Sequence, residues 1–158
     1  MAVSYLKKAT KSSATGEDDT RATVARMLSE IEVGGEQVCT EYAAKLDGYH
    51  GNILVTSDDI DQATSRLSQQ VKDDIRFAHE RVDKFAQKQR QALIDFEVEL
   101  SPGLWAGQRQ IPVQTAGCYI PGGRYSHVAS AIMSVATAKA AGVKHVVACS
   151  PPKPGTGV

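Results

Sequence analysis

The chain has 158 residues, of which 42% are hydrophobic and 23% are charged, the proportions of a globular protein. Eighteen basic residues balance 18 acidic ones, so no net field attracts nucleic acid or an anionic membrane, and we expect neither as a partner. No run is apolar enough for a membrane span or an export signal. Cys39, Cys118 and Cys149 stand apart among apolar neighbours, which predicts buried, reduced thiols in a cytoplasmic protein.

Residues 1–94 carry the pattern of a helical region. After a polar loop over residues 10–20, apolar residues recur at helical spacing up to Gly34-Gly35, and a second helix follows to about Leu46. The run from Ile53 to Val55 has the composition of a short β-strand. A third helix is predicted from Ser57 through Leu67, with Ser57, Asp58 and Asp59 supplying its N-cap.

The longest helix is predicted over about residues 68–93. Val71, Ile75, Ala78, Val82 and Phe85 alternate spacings of four and three, which makes a seam that must lie against another element. Charged residues on the opposite face are interpreted as solvent-exposed. One hypothesis for the chain is therefore a helical interaction protein that docks through this seam.

From Asp95 the apolar residues recur at every second position, which is the period of a β-strand. Phe96, Val98 and Leu100 alternate with glutamates, the turn Ser101-Pro102-Gly103 follows, and residues 105–113 return as a second strand of a hairpin. Pro112 indicates that this second strand either lies at an edge of the sheet or ends there.

Residues 116–149 predict a strand–helix–strand unit with parallel pairing. Its strands are residues 116–120 and 146–149, and its helix runs from about Ser126 to Ala141. Two strands are too few to cover the faces of a parallel sheet. The predicted fold class is therefore α/β, with a helical region over residues 1–94 and an incomplete, Rossmann-like nucleotide-binding domain over residues 95–158.

The candidate site lies where the two parallel strands end, because open α/β sheets bind ligands at the carboxyl ends of their strands. Pro121-Gly122-Gly123 brings backbone N–H groups and a helix N-terminus to this edge, which favours a pyrophosphate. Tyr119 offers a ring to a nicotinamide or adenine. Arg124 offers a charge-assisted contact, and His127 is the histidine nearest the site. The GxGxxG fingerprint is absent, so an ordinary Rossmann assignment fails, and a purely structural turn remains open.

No catalytic or metal-binding group is recognisable within these residues. The four histidines, His50, His79, His127 and His145, have no metal-ligand spacing, and no carboxylate pair or nucleophile triad appears. A stand-alone, non-catalytic nucleotide- or anion-binding module is thus a second hypothesis.

Several ordered motifs resemble the first nucleotide-domain segment of the histidinol dehydrogenase family. They are Gly117-Cys118-Tyr119-Ile120-Pro121-Gly122-Gly123, Ser130-Ala131-Ile132-Met133, Ala138-Lys139-Ala140-Ala141-Gly142 and Val146-Val147-Ala148-Cys149-Ser150-Pro151-Pro152. The upstream helices resemble the same family's N-terminal region. Residues 104–109 and 123–130 look closer to a side branch, the sulfopropanediol 3-dehydrogenase group, because Arg124, Tyr125 and Val128 replace the small residues and proline usual in biosynthetic members.

The resemblance implies a zinc-dependent, NAD-linked alcohol dehydrogenase (EC 1.1.1) that acts as a homodimer on a small-molecule alcohol. Such an enzyme oxidises a primary alcohol to a carboxylic acid in two steps. The favoured substrate is 2,3-dihydroxypropane-1-sulfonate, oxidised to sulfolactate, since an added arginine suits a sulfonate; L-histidinol is next. Tyr119 matches the family's NAD contact, and Pro121, Gly122 and Gly123 accompany it. The implied catalytic pair and zinc ligands lie beyond residue 158, so this chain is expected to be an N-terminal part that is inactive alone.

Overall fold

A computed structural model describes residues 15–122 and 125–152. The chain forms two compact units, Met1–Ile53 and Leu54–Val158. Within the described ranges, no helix combines the length and the apolar character that crossing a membrane requires.

The first unit is a helix, α1 (Thr15–Asp47), broken at Gly35. Gly35 has φ 61° and ψ −142°, a conformation open only to glycine, so the predicted break between two helices is confirmed. Across the break, the Tyr42 hydroxyl donates a hydrogen bond to the Glu30 carboxylate, which Arg26 also contacts at 2.8 Å. The predicted loop over residues 10–20 is wrong for residues 15–20, which are helical; residues 10–14 lie outside the described ranges.

The second unit begins with two helices, α2 (Ser57–Ser65) and α3 (Gln69–Gln91). The α2 helix begins in a capping box in which Thr56 Oγ1 accepts from the Asp59 N–H at 3.2 Å, while the Thr56 N–H donates to Asp59 at 2.9 Å. The hydrogen bonds from Thr56 lower the pKa of the Asp59 carboxyl. The strand expected at residues 53–55 is wrong, because no described strand lies beside this run to pair with it.

A β-hairpin follows α3, as predicted. Its strands, β1 (Phe96–Ser101) and β2 (Leu104–Gln108), are antiparallel, with Val98 opposite Ala106. The second strand ends at Gln108, short of the predicted Val113. Among the described elements the hairpin strands pack only on each other.

The predicted strand–helix–strand unit is confirmed. Its strands, β3 (Thr115–Tyr119) and β4 (His145–Cys149), pair in parallel, and α4 (Val128–Ala140) covers one face of them. The α3 helix packs on α4, which builds three layers of sheet, helix and helix. The small side chains Ala86, Cys118, Ala136 and Ala140 are buried there. This arrangement is an α/β fold whose sheet has only two strands in the described part.

Packing on α4 selects the buried face of α3. Ile75, Ala78 and Val82 of the predicted seam are half-buried, whereas Val71 and Phe85 are exposed and Ala86 is buried instead. The seam was therefore wrong at its two ends. The boundary drawn at residues 94 and 95 remains a prediction about domain organisation; in the structure α3 belongs to the same compact unit as the sheet.

The cysteines are all free thiols with different surroundings. Cys118 is 6% exposed in the core, Cys39 is half-buried and Cys149 is exposed. The expectation that all three are buried is wrong for Cys149, because α4 shields only one face of the two-stranded sheet and β4 lies at its edge.

Candidate functional site

The parallel strands end together at one corner of the second unit. Tyr119 lies opposite Cys149 in the register, and the Ile120 N–H donates to the Cys149 carbonyl at 2.8 Å. Beyond this bond a cavity of about 300 Å³ opens, lined by residues 120–122, 125–128 and 150–152 together with Ala131. The cavity therefore sits where α/β sheets bind ligands, at the carboxyl ends of the strands.

The N-terminus of α4 forms one wall of this cavity. His127 is its N-cap residue and makes no side-chain capping hydrogen bond, while its carbonyl accepts from the Ala131 N–H at 3.2 Å. The first N–H groups of a helix have no partner within the helix, and the helix dipole adds positive potential there. A negatively charged group such as a phosphate is stabilised at such a position.

Tyr119 borders a second, wider space beside the cavity. This groove, of about 590 Å³, runs along α4 past Met133 and Thr137, and Pro121 lines both the groove and the cavity. The Tyr119 side chain is 66% exposed, so its ring is available for contact with a planar ligand group. The two spaces meet at Pro121, an arrangement that accommodates an elongated ligand with two chemically different ends.

Gly122 holds the loop after β3 against the residues after β4. A Cβ atom built on Gly122 would lie 2.4 Å from Cγ and 3.1 Å from Cδ of Pro151. Its φ is not in the left-handed region, so the close approach, and not the backbone conformation, is what requires glycine. The loop after β3 therefore lies close against the residues after β4 at this side of the cavity.

The structure places the residues expected at the site as follows. Pro121, Gly122 and His127 line the cavity, and Tyr119 lies beside it on the groove. Gly123 and Arg124 lie outside the described residues. The sequence also predicts Ser150-Pro151-Pro152 at this edge of the sheet, without a binding role for Pro151, and all three residues line the cavity. The roles of all these residues in binding remain predictions.

The corner fits part of a dinucleotide. A cavity in the range of small-molecule sites, a helix N-terminus and an exposed aromatic ring are what a phosphate and a flat ring require. Zinc is a different case: within residues 15–122 and 125–152, no group of three or more histidine, cysteine or carboxylate side chains could hold a metal ion. The residues described here therefore do not fit a zinc site.

Comparison with known proteins gives a consistent family. The family model for histidinol dehydrogenase matches residues 10–158. The chain is 52% identical over 158 residues to the sulfopropanediol 3-dehydrogenase of Ruegeria pomeroyi and 54% identical over 158 residues to a histidinol dehydrogenase homolog of Pelagibacter ubique. A histidinol dehydrogenase of Methanosarcina barkeri is 34% identical over 141 residues. These alignments cover 100%, 99% and 89% of this chain, but only 36%, 37% and 32% of the respective relatives.

A solved structure agrees at the level of the fold. The histidinol dehydrogenase from Elizabethkingia anophelis superposes with a TM-score of 0.75 and 22% sequence identity, covering 98% of this chain and 34% of that one. The chain thus spans about a third of the length of the proteins it resembles. On the match of the family model over nearly all of its residues, the chain belongs to the histidinol dehydrogenase family.

Proposed function

We propose that this chain supplies the dinucleotide-binding corner of an NAD-linked dehydrogenase that oxidises a primary alcohol to a carboxylic acid in two steps. The observation behind the proposal is the corner itself: Pro121, Gly122 and the start of α4 surround one cavity at the ends of two parallel strands. Bound NAD would supply the hydride acceptor. The α4 N-terminus would hold its phosphates, and Tyr119 would lie against one of its rings.

The favoured substrate is 2,3-dihydroxypropane-1-sulfonate, with sulfolactate as the product, and L-histidinol is the alternative. The support is the 52% identity to a protein named sulfopropanediol 3-dehydrogenase, compared with 34% to a protein named histidinol dehydrogenase. Arg124 adds a chemical reason, since a guanidinium pairs with a sulfonate by charge-assisted hydrogen bonds and suits a sulfonate better than an imidazole. We assign substrate contact to Arg124 and His127.

Hydride transfer is expected only from a polypeptide that also contains the portion possessed by the longer relatives. We assign the zinc ligands to that portion, because no group of three or more histidine, cysteine or carboxylate side chains among the described residues could hold a metal ion. The catalytic acid/base pair is assigned there from the resemblance to the family. We further infer a cytoplasmic homodimer. Support for the compartment comes from the three free thiols, which suit a reducing environment; the dimer is inferred from the family.

The test of the corner is calorimetric titration of the 158-residue chain with NAD. Replacing Tyr119 by alanine should weaken binding about fivefold or more, since stacking of a base on an aromatic side chain contributes about 1–3 kcal/mol. The matched control is Phe85→Ala, which removes a ring of equal exposure, 67% against 66%, from α3. Equal affinities of the Tyr119→Ala variant and the unaltered chain, or no binding of NAD at all, would refute the proposal.

The substrate assignment is tested on a chimera in which this chain replaces the matching part of the Ruegeria pomeroyi protein. NADH formation measured with each alcohol should give a kcat/KM at least tenfold higher for 2,3-dihydroxypropane-1-sulfonate than for L-histidinol. Such a ratio corresponds to about 1.4 kcal/mol of differential transition-state binding. A preference for L-histidinol would reverse the assignment without affecting the NAD corner.

A further inference from the structure

The α3 helix has a second face that nothing in the described part of the chain covers. Asp74, Phe77, Arg81, Phe85 and Lys88 recur at spacings of three and four, so they form one stripe along the helix, which we name the Phe77–Phe85 stripe. All five residues are exposed, Phe77 by 57% and Phe85 by 67%. Among the described elements α3 packs only on α4, and it does so through a different face.

The Arg81 side chain at the centre of the stripe is held against its own helix. Its Cζ atom lies 3.1 Å from the centroid of the Phe77 ring, and its Nη1 group donates to the Phe77 carbonyl at 3.2 Å. Both contacts direct the side chain toward the N-terminal end of α3. The Phe85 ring, one turn further on, remains apolar surface that association can remove from water.

The order of the side chains along the stripe is complementary to itself. Phe77 and Phe85 lie one turn before and after Arg81, and Asp74 and Lys88 lie two turns before and after it. If two such helices pack antiparallel about a two-fold axis at Arg81, Phe77 of one copy meets Phe85 of the other. Asp74 of one copy likewise meets Lys88 of the other, which places an acid opposite a base. Charge complementarity therefore points to a second copy of this chain as the partner.

The two Arg81 guanidinium groups do not meet at this axis. Each points toward the N-terminus of its own helix, and in antiparallel helices these directions are opposite. Each guanidinium then lies between the Phe77 ring of its own copy and the Phe85 ring of the other, where cation–π attraction favours it. Exposed side chains of this size present on the order of 100 Å² each, so the stripe corresponds to a small, reversible interface.

We infer that the Phe77–Phe85 stripe is the surface through which two copies of this chain pair, with their α3 helices antiparallel. The inference rests on the homodimer of the proposed function, whose surface it names, and not on NAD binding at the corner. The face of α3 that packs on α4 stays within each copy.

Sedimentation equilibrium of the 158-residue chain over a series of concentrations tests the pairing. The unaltered chain should dimerise reversibly. Asp74→Lys and Lys88→Asp should each raise the dissociation constant about tenfold or more, because each substitution sets like charges opposite one another twice in the dimer. The variant with both substitutions should pair nearly as tightly as the unaltered chain, since acid and base are then only exchanged.

The combined variant separates pairing from an effect on helix stability. A lysine near the start of α3 and an aspartate near its end both oppose the helix dipole, so purely structural effects would add and not cancel. Glu80→Lys is the matched control, because it makes the same change of charge at an exposed position outside the stripe and should leave the dissociation constant unchanged. Circular dichroism checks that each variant is folded. A chain that is monomeric throughout, a dimer that Asp74→Lys leaves intact, or a combined variant no better than the single ones overturns the inference.

Photo-cross-linking gives a second readout that involves no change of charge. The photo-cross-linker p-benzoylphenylalanine replaces Phe77, and a mixture of isotopically labelled and unlabelled chains marks the peptides that are joined between copies. We expect such cross-links from position 77 to the segment around Phe85, and no enrichment of that segment when the same group replaces Phe96, whose ring is 50% exposed. Cross-links from position 77 that reach only other parts of the second copy overturn the inference. NAD titration of the variants keeps this outcome separate from the test of the corner.

Discussion

Replacing Gly122 by alanine tests whether the contact with Pro151 sets the geometry of the corner. The new Cβ would lie 2.4 Å from Cγ of the Pro151 ring, a distance that real Cβ atoms do not reach, so the loop after β3 or the segment after β4 must shift. The proline ring is rigid and cannot rotate away. Overpacking of this kind destabilises a protein by about 1–3 kcal/mol. For a chain of 158 residues, each kcal/mol lowers Tm by roughly 2–4 °C.

A second substitution separates this clash from other effects of alanine. Pro151→Ala removes Cγ and Cδ but keeps the Cβ atom, which would lie at an ordinary contact distance of 3.5 Å from the new side chain. Gly122→Ala should therefore cost much less in the Pro151→Ala background, with a coupling free energy of about 1–2 kcal/mol. Loss of the proline also changes the entropy of the unfolded chain, but equally with and without alanine at position 122.

Thermal unfolding of the four proteins in this cycle, followed by circular dichroism and calorimetry, measures the coupling. Gly117→Ala is the matched control, because no atom lies within 4 Å of its added Cβ and its φ is not positive. We expect that variant to have an unchanged or slightly higher Tm. If Gly122→Ala is equally destabilising with and without Pro151, the contact does not control the loop and the reasoning fails. NAD titration of the same variants then shows whether the width of the cavity affects binding.

Two further predictions concern acid stability and thiol reactivity. Hydrogen bonds from Tyr42 and, to a smaller extent, from Arg26 lower the pKa of the Glu30 carboxyl. Ionised Glu30 therefore stabilises the folded chain fully above the ordinary glutamate pKa of about 4.3, and this stabilisation is lost as the pH falls from there through the lowered pKa. Thermal unfolding over a pH series should show that Tyr42→Phe reduces this acid dependence. Tyr49→Phe is the control and should leave it unchanged, because the Tyr49 hydroxyl donates to the backbone carbonyl of Asn52. Identical pH profiles for the unaltered chain and Tyr42→Phe would contradict the prediction. A thiol reagent should label exposed Cys149 in the folded chain at least tenfold faster than buried Cys118, measured by mass spectrometry, and equal rates would show that the core around Cys118 opens readily.

The site could be located from the sequence because its parts are close together along the chain. Tyr119 ends β3, Pro121 and Gly122 come directly after it, and His127 precedes α4, so the rule that ligands bind at strand ends was enough to place the candidate cavity. Pro151 comes some 30 positions later. Its contact with Gly122 depends on the parallel register of β3 and β4, which no local pattern states in atomic detail.

Errors occurred where tertiary neighbours decide the outcome. The run from Ile53 to Val55 has the composition of a strand, but a strand forms only beside another strand, and none is available there. On α3, Phe85 is exposed and Ala86 is buried, because the close approach of α4 admits a small side chain and excludes a large one. Composition indicates which secondary structure a residue favours, whereas packing determines which other residues it contacts.

The sequence by itself determined the break at Gly35, the hairpin, the parallel strand–helix–strand unit and the family, since each depends on local conformation, hydrophobic period or motif order. Only the tertiary structure decided which face of α3 is buried, that Cys149 is exposed, and that Gly122 and Pro151 together shape the cavity. The physical reason is that local preferences act over a few bonds. Burial and steric contact, in contrast, depend on residues that are distant in the chain and adjacent only after folding.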